Sequence, residues 1–515
     1  MENEISEEKY IFELKNFGII NNASINLGSF DISKKSKGSL SIIGGPNNSG
    51  KSTIAKALYS LLATFSNESI RVYNSEIKNS INLLINDLAF SIMKFRRDLR
   101  KSEVYPYGDG KFVKINNKKN KEEYLNDSNE SSEFYSKLSD IVNNLRGFRD
   151  ELQYLMDNDD FNIDLILESV SNLKNTIIKN DFELSNISER IENIINGIES
   201  KNQLPFFHYE NLERFLSKEF GKNEYKKFFR EIGGIDEDNL NEKLNLSLHF
   251  KNKERFIMGL NTNIDFVIGP DSGSDLLKFS IGDIYYIETP YILDFYRDNH
   301  PNMYATYHQN SLINKLTSRD DEEWIFKTSE EYKNQTDDDS VIQGKILFDE
   351  DTKQFFYVTK EGGITSAINT AAGIKNIGII QNLFSRNLDN NSVIIMDEPE
   401  VHLHPKLQVE LARIIVEKIA EYKIHFYINT HSPQFIEAIQ SYSILYEVFD
   451  NVNYYITEES GSDGTFNFIP SNFSDLISVD PKEVDTIFGH LNDAFDVIDG
   501  ISGEIASKNI VKDKK

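Results

Sequence analysis

IIGGPNNSGKSTIAKAL, residues 42–58, is the stretch that decides the fold. From Gly45 to Ser52 it fits G-x-x-x-x-G-K-[ST], the pattern of a phosphate-binding loop. The pattern needs a strand before it and a helix after it. SLSII precedes it as an apolar run, and STIAKALYSLLATF follows with Ile54, Leu58, Leu61 and Leu62 at helical spacing. Gly45 and Gly50 let the backbone turn its N–H groups inward, and the helix start adds partial positive charge. Lys51 is expected to reach the β- and γ-phosphates, and the Ser52 hydroxyl to ligate Mg²⁺. With Asn47, Asn48, Ser49 and Thr53 these residues form the expected set for a nucleoside triphosphate.

Composition bounds the rest. The chain has 515 residues, 39% hydrophobic and 27% charged, which describes an ordinary globular protein of two or three lobes. It has no cysteine, so disulfides, thiolate metal sites and cysteine nucleophiles are excluded. No apolar run approaches membrane-spanning length, and the acidic start MENEISEEKY is unlike a signal peptide, which predicts a cytoplasmic protein. A formal charge of −26 opposes nonspecific coating of DNA, because phosphate contacts need clustered Lys and Arg. KINNKKNK (114–121) and the tail SKNIVKDKK read as a solvated loop and a frayed terminus.

Along the chain, KYIFELKNFGIINNASINLGSF predicts strands around a Phe17-Gly18 turn. From about Glu68 to His300 the sequence is charged, Asn-rich and mainly helical. One apolar series runs Phe134, Leu138, Ile141, Leu145, Phe148, Leu152, Leu155; a second runs Ile166, Val170, Leu173, Ile177, Leu184, Ile187, Ile191, Ile194, Ile198, interrupted at Asn180. With DNDDFN as the turn between them, they predict an antiparallel helical pair. The pair either projects as a short arm or lies on a globular lobe. RDDEEWIFKTSEEYKNQTDDDS predicts an exposed acidic loop, and GKILFDEDTKQFFYVTKEGG a hairpin.

The other half of the site is NSVIIMDEPEVHLHPKLQVELARIIVEKIAEYKIHFYINTHSPQFIEAI. SVIIM is a buried strand ending in Asp397-Glu398, a pair suited to Mg·ATP hydrolysis. Asp397 is expected to hold the metal through its water shell, and Glu398 to orient and deprotonate the attacking water. Pro405 suits the first turn of a helix. IHFYIN is a further strand, and His431 at its end can hydrogen-bond the γ-phosphate or the water. The absence of N-K-x-D argues against a GTPase. Glu288, after DIYYI, stands where a metal-sensing group could emerge.

GPNNSGKST, DEPEVHLHP and NTHSP, in that order around a long insertion, resemble ABC-type ATPase heads. The closest likeness is to the OLD (overcoming lysogenisation defect) branch and its nuclease-free relatives, with RecF and SMC heads more distant. The match covers about residues 10–65 and 340–445. The resemblance implies an α/β P-loop fold with a mixed sheet interrupted by a large helical insertion. Its expected parts are residues 1–66 (head, P-loop), 67–300 (insertion), 301–445 (head, Walker B and switch histidine) and 446–515 (hairpin and tail). It implies that Asp397 and Glu398 are Walker B and catalytic base and that His431 is the switch histidine. Glu400, His402 and His404 fall where two heads meet. It also implies a signature loop reaching the partner's γ-phosphate, for which Thr370, Ala371, Gly373 and Lys375 are the candidates. Ala371 stands where a serine is usual, which implies slower turnover.

The resemblance thus implies an ATP- and Mg²⁺-dependent homodimeric switch. After His431 there is no carboxylate cluster of nuclease type, so any nuclease is expected as a separate effector, in defence against phage or mobile DNA. The alternatives are a RecF- or SMC-like DNA-repair or chromosome-associated ATPase, for which DNA would be a partner; a transporter's nucleotide-binding subunit; and a head that binds ATP but barely hydrolyses it.

Overall fold

The computed structural model describes residues 10–30, 37–101, 104–106, 112–116, 121–125, 143–154, 163–179, 185–200, 204–222, 224–230, 244–250, 256–261, 263, 266–268, 281–295, 306–317, 344–349, 352–384, 388–460 and 464–471. By compactness the chain divides into Met1–Ser69 with Tyr209–Lys515, and Ile70–His208.

The first unit is built on an eleven-stranded mixed sheet. In chain order its strands are β1 (Tyr10–Phe17), β2 (Ile20–Gly28), β3 (Ser39–Gly44), β7 (Leu244–Phe250), β8 (Phe256–Asn261), β9 (Phe266–Ile268), β10 (Ile284–Ile287), β14 (Val393–Asp397), β15 (His425–Thr430), β16 (Val452–Ser460) and β17 (Thr465–Ser471). Their order in space is β10-β14-β15-β3-β16-β17-β2-β1-β7-β8-β9. The run from β10 to β16 is wholly parallel. Parallel strands buried on both faces read as continuous apolar runs, which is why VIIM and FYI lack alternation; in SLSII the buried Ser39 and Ser41 hydroxyls are satisfied by the Leu27 and Asn26 carbonyls. β1 and β2 turn at Gly18, whose φ of 57° suits glycine, and pair antiparallel as the sequence predicts.

Helix α1 (Lys51–Ala63) packs on β10, β14 and β15, and Ile54, Leu58, Leu61 and Leu62 are all fully buried. The principal core gathers Leu40, Ile42, Ile394, Met396, Phe426 and Ile428 from the parallel strands. Helices α8 (Tyr307–Thr317), α9 (Ala372–Phe384), α10 (Pro405–Glu421) and α11 (Pro433–Leu445) cover them with Leu312, Ile380, Ile415 and Ile439. Pro405 occupies the first turn of α10, as expected, and His404 caps it by accepting from the Lys406 N–H at 3.3 Å. GKILFDEDTKQFFYVTKEGG folds as the predicted hairpin, β11 (Gly344–Asp349) against β12 (Gln354–Thr359), and β13 (Ile364–Ser366) joins it.

Two placements differ from the sequence reading. Residues 244–268 and 284–287, expected within the helical insertion, supply four strands of the main sheet. The hairpin β16–β17, expected in a C-terminal part separate from the head, lies mid-sheet: β16 pairs with β3 and β17 with β2. Alternation identifies a strand but not its neighbours.

The second unit takes most of α2 (Asn67–Lys101), α3 (143–154), α4 (Ile163–Lys179) and α5 (Ser185–Ser200). Its core combines Ile77, Ile81, Leu84 and Leu88 of α2 with Leu145, Leu152, Ile166, Val170, Leu173, Ile177, Ile187, Ile191 and Ile194. The second apolar series falls on two helices, α4 ending at Lys179 and α5 beginning at Ser185, and α4 packs on α5; Asn180 lies outside the described residues. Phe134, Leu138, Ile141, Leu155, Leu184, the DNDDFN turn, the acidic loop 319–340 and the tail lie outside the described residues. A small antiparallel sheet is formed by β4 (Val104–Pro106), β5 (Phe112–Asn116) and β6 (Lys121–Leu125), so residues 114–116 and 121 of the basic stretch, expected as a loop, lie in strands, and 117–120 lie outside the described residues. Helix α6 (Leu204–Phe220) leads back to the first unit, with Pro205 in its first turn.

Candidate nucleotide site

The phosphate loop joins β3 to α1. Gly50, at φ 92°, is left-handed and caps α1 without a side chain, which leaves the first helical N–H groups to a ligand. Asn48 is also left-handed at φ 65°. Gly45 lies so close to β16 that a Cβ there would come 2.0 Å from Thr457 Oγ1. Pro46, Asn47 and Asn48 are exposed at the crest, while Gly45, Ser49 and Gly50 are buried. Lys51 is 4% exposed, and its amine donates to the carbonyls of Gly45 (2.8 Å) and Pro46 (2.7 Å). Two of its three protons thus shape the loop. Burial lowers the Lys51 pKa, against the opposing charges of Glu398, Asp397 and Glu400, so all three carboxylates lie within electrostatic reach of the amine.

The strand order explains that reach, since β15 separates β3 from β14 by one strand and all three end on the same side. Asp397 terminates β14 opposite Asn429, whose Nδ2 donates to its Oδ1 at 3.0 Å. The Ser52 hydroxyl is hydrogen-bonded to the same carboxyl. Burial pushes the Asp397 pKa up; the bonds from Ser52 and Asn429 oppose this, while Glu398 and Glu288 raise it further. Glu398 follows at φ 50°, a strained conformation for a residue with a side chain, pinned by its N–H on the Asn429 carbonyl at 2.8 Å. His431 Nδ1 stands 3.3 Å from Glu398 Oε1.

Ser52, Asp397 and Glu398 line an open cleft with Glu288, Thr289, Tyr291, Asn376 and His402. Glu288 emerges from the end of β10 and contacts Lys56 of α1 at 3.0 Å, Gln309 at 3.0 Å and His308 Nε2 at 3.3 Å. Burial would raise its pKa, but His308 and Lys56 bring it down to about 2. His308 is wholly buried, with Nδ1 2.6 Å from Glu219 Oε2. Its burial favours the neutral ring; hydrogen bonds to Glu219 and Glu288 overcome this and raise its pKa. Lys56, His308 and Glu219 were not legible beforehand, because they are scattered over three helices. Asn429 carried a signal: it precedes Thr430 in NTHSP, at the end of the strand beside Asp397.

The signature-like residues adjoin this cleft but do not line it. Thr370 is nearly buried and donates its hydroxyl to the Ser366 carbonyl at 3.0 Å. Ala371 is exposed just before α9. Gly373 packs so tightly on the 398–404 loop that a Cβ would come 2.7 Å from the His402 carbonyl. Lys375 is 2% exposed, and its amine bridges both oxygens of Asp294 at 2.7 and 2.8 Å.

A family model described as the AAA ATPase domain matches residues 11–436. Curated proteins give no match. Among solved structures the chain is similar to the SMC head domain from Thermotoga maritima, at 10% identity over 91% of this chain and 100% of that one, with a TM-score of 0.29. It is also similar to the Smc head domain with an extended coiled coil bound to the C-terminal domain of ScpA, from Pyrococcus furiosus, at 11% identity, 93% and 98% coverage and a TM-score of 0.28. Because the family match runs from β1 into α11 and takes in both halves of the cleft, the chain belongs to the AAA ATPase domain family.

Proposed function

We propose that the chain binds ATP with Mg²⁺ and hydrolyses it to ADP and phosphate, as a dimeric ABC-type switch in the cytoplasm. The observation that carries this is the junction of the loop hydroxyl Ser52 with Asp397, beside Glu398 and His431. Buried carboxylates with like-charged neighbours favour a cation between them, and Ser52 and Asp397 are the residues that would hold Mg²⁺. When bound, the ion supplies positive charge to the β- and γ-phosphates. The loop N–H groups and the remaining Lys51 proton bind the phosphate oxygens. Glu398 takes a proton from water as its oxygen bonds to the γ-phosphorus and the bond to the β-phosphate oxygen breaks. His431 steadies the γ-phosphate.

In the dimer, α9 of each head presents its first turn to the partner's nucleotide. Thr370 and Lys375 are engaged within their own head, so this contact falls to the backbone N–H groups around Ala371 and Gly373. The likeness to the OLD branch supports a separate effector, such as a nuclease, acting against phage or mobile DNA. Among the described residues no helix is long and apolar enough to cross a membrane.

The test is phosphate release by the purified chain, with and without double-stranded DNA, against Glu398→Gln as blank. Release above the blank is expected, unchanged by DNA, with no nucleotide binding by Lys51→Ala. Glu398→Gln should retain ATP and accumulate as a dimer. Normal turnover by either variant would remove the assignment, and stimulation by DNA would favour a repair or chromosome role.

A further inference from the structure

Glu400 lies two residues beyond Glu398, on the loop from β14 to α10, and its side chain is 3% exposed. A carboxylate in such a place is strongly disfavoured unless its oxygens are hydrogen-bonded. One of them is. Oε1 accepts the Thr430 hydroxyl at 2.6 Å and the His431 backbone N–H at 3.1 Å, so the two residues at the exit of β15 are fixed by one atom. Oε2 is buried and has no hydrogen-bond partner. Burial raises the Glu400 pKa against the bond from Thr430.

The same loop is tied a second time. Gln408 donates to the carbonyls of Glu400 (3.4 Å) and Leu403 (3.1 Å) and accepts the Ser432 hydroxyl at 3.0 Å. Side chains of Glu400 and Gln408 therefore join the segment bearing Glu398 to the segment bearing His431. The imidazole between them has Nδ1 3.3 Å from Glu398 Oε1 and 3.7 Å from Glu400 Oε1.

We infer that Glu400 is a positioning residue for hydrolysis: it anchors His431 through its backbone and Thr430 so that the imidazole meets Glu398 and the γ-phosphate in one geometry. This rests on the roles proposed above for Glu398 and His431. Glu400 itself touches neither water nor phosphate. Its removal acts by loosening the histidine, and displacement of about 1 Å at a reacting centre costs on the order of 100-fold in rate.

The experiment compares Glu400→Ala, Glu400→Gln and His431→Ala in the full-length chain, measuring kcat, KM for ATP and the melting temperature. Glu400→Ala should lose about 100-fold in kcat, with little change in KM. Glu400→Gln, whose amide oxygen accepts the same two hydrogen bonds, should recover most of that rate. The double variant Glu400→Ala/His431→Ala should be no slower than the slower single one, as groups acting as a unit are not additive. Should the alanine variant fail to fold, Glu400→Leu fills the volume and should show the same loss. An unchanged kcat in folded Glu400→Ala or Glu400→Leu would overturn the role. So would a glutamine variant as slow as alanine, or losses that multiply with those of His431→Ala. A parent chain that releases no phosphate above Glu398→Gln would overturn the hydrolytic reading and this role together; an active parent beside an unaffected Glu400→Ala would overturn this role alone.

Discussion

Asp397 is held in the fold against its own chemistry. Burial and the charges of Glu398 and Glu288 raise its pKa, and the bonds from Ser52 and Asn429 resist. The folded chain therefore binds that proton more tightly than the unfolded chain. The stability Asp397 contributes is present below its ordinary value of 3.8 and is lost as pH rises through the raised folded value. At neutral pH the ionised group is destabilising until a cation meets it. Asp397→Asn should accordingly raise the melting temperature of the ligand-free protein at pH 7.5, with a smaller gain below pH 4. Mg·ATP, at about 100 times its Kd, should add about 2.7 kcal/mol to the parent and nothing comparable to the variant. A ligand-free variant melting below the parent, or one keeping the full Mg·ATP shift, would contradict this. Asp397 itself was legible, since DEPE ends an apolar strand. Glu400 was legible only as part of a segment; that its side chain turns inward to His431 depends on how two loops approach, which spacing does not encode.

At the scale of elements, the sheet turns on β16. This strand lies against β3 on the side opposite β15, so the strand bearing the phosphate loop is paired on both edges. Thr457 of β16 supports the loop at Gly45, where a Cβ would come 2.0 Å from its Oγ1 and 2.9 Å from its Cγ2. Gly45→Ala should therefore push the loop off β16 and weaken ATP binding at least tenfold, about 1.4 kcal/mol. Gly45→Ala/Thr457→Ala, which removes the two nearest atoms and leaves the Thr457 Cβ position at 3.0 Å, should regain most of that affinity. Calorimetric titration with ATP checks both, and a double variant as weak as the single one would place the glycine requirement in the loop's own dihedrals. The strand character of β16 was visible in its alternation and its turn, but not its partners. β14 and β15 were easier, because parallel strands buried on both faces declare themselves as unbroken apolar runs, and β3 was placed by the phosphate-loop pattern that follows it. The heptad-like seam gave the buried faces of α4 and α5 but ran them together: apolar spacing reports faces better than helix ends.

Over the whole molecule, the insertion was legible because the two halves of one site, Lys51 and Asp397, lie far apart in sequence. Its limits were not. Residues 209–300 return to the main unit, and their strands β7–β9 extend the antiparallel wing of the sheet, where local composition resembles the insertion. The formal charge of −26 belongs to this scale too. Two such chains meeting head to head repel one another over a distance set by the Debye length, about 10 Å at 0.1 M salt. In the dimer proposed above, the contacts that would draw them together, loop N–H groups on a bound nucleotide, are short-ranged and shielded. Added salt should therefore screen the repulsion more than the attraction. The ATP-bound dimer of Glu398→Gln is expected to tighten as NaCl rises from about 50 to about 300 mM, measured by light scattering or sedimentation. A complex joined by opposite charges would loosen over that range, as would one in which a basic groove grips an acidic partner chain. Weakening with salt would thus reject the sandwich of two acidic heads and call for an interface in which Lys and Arg carry the contact.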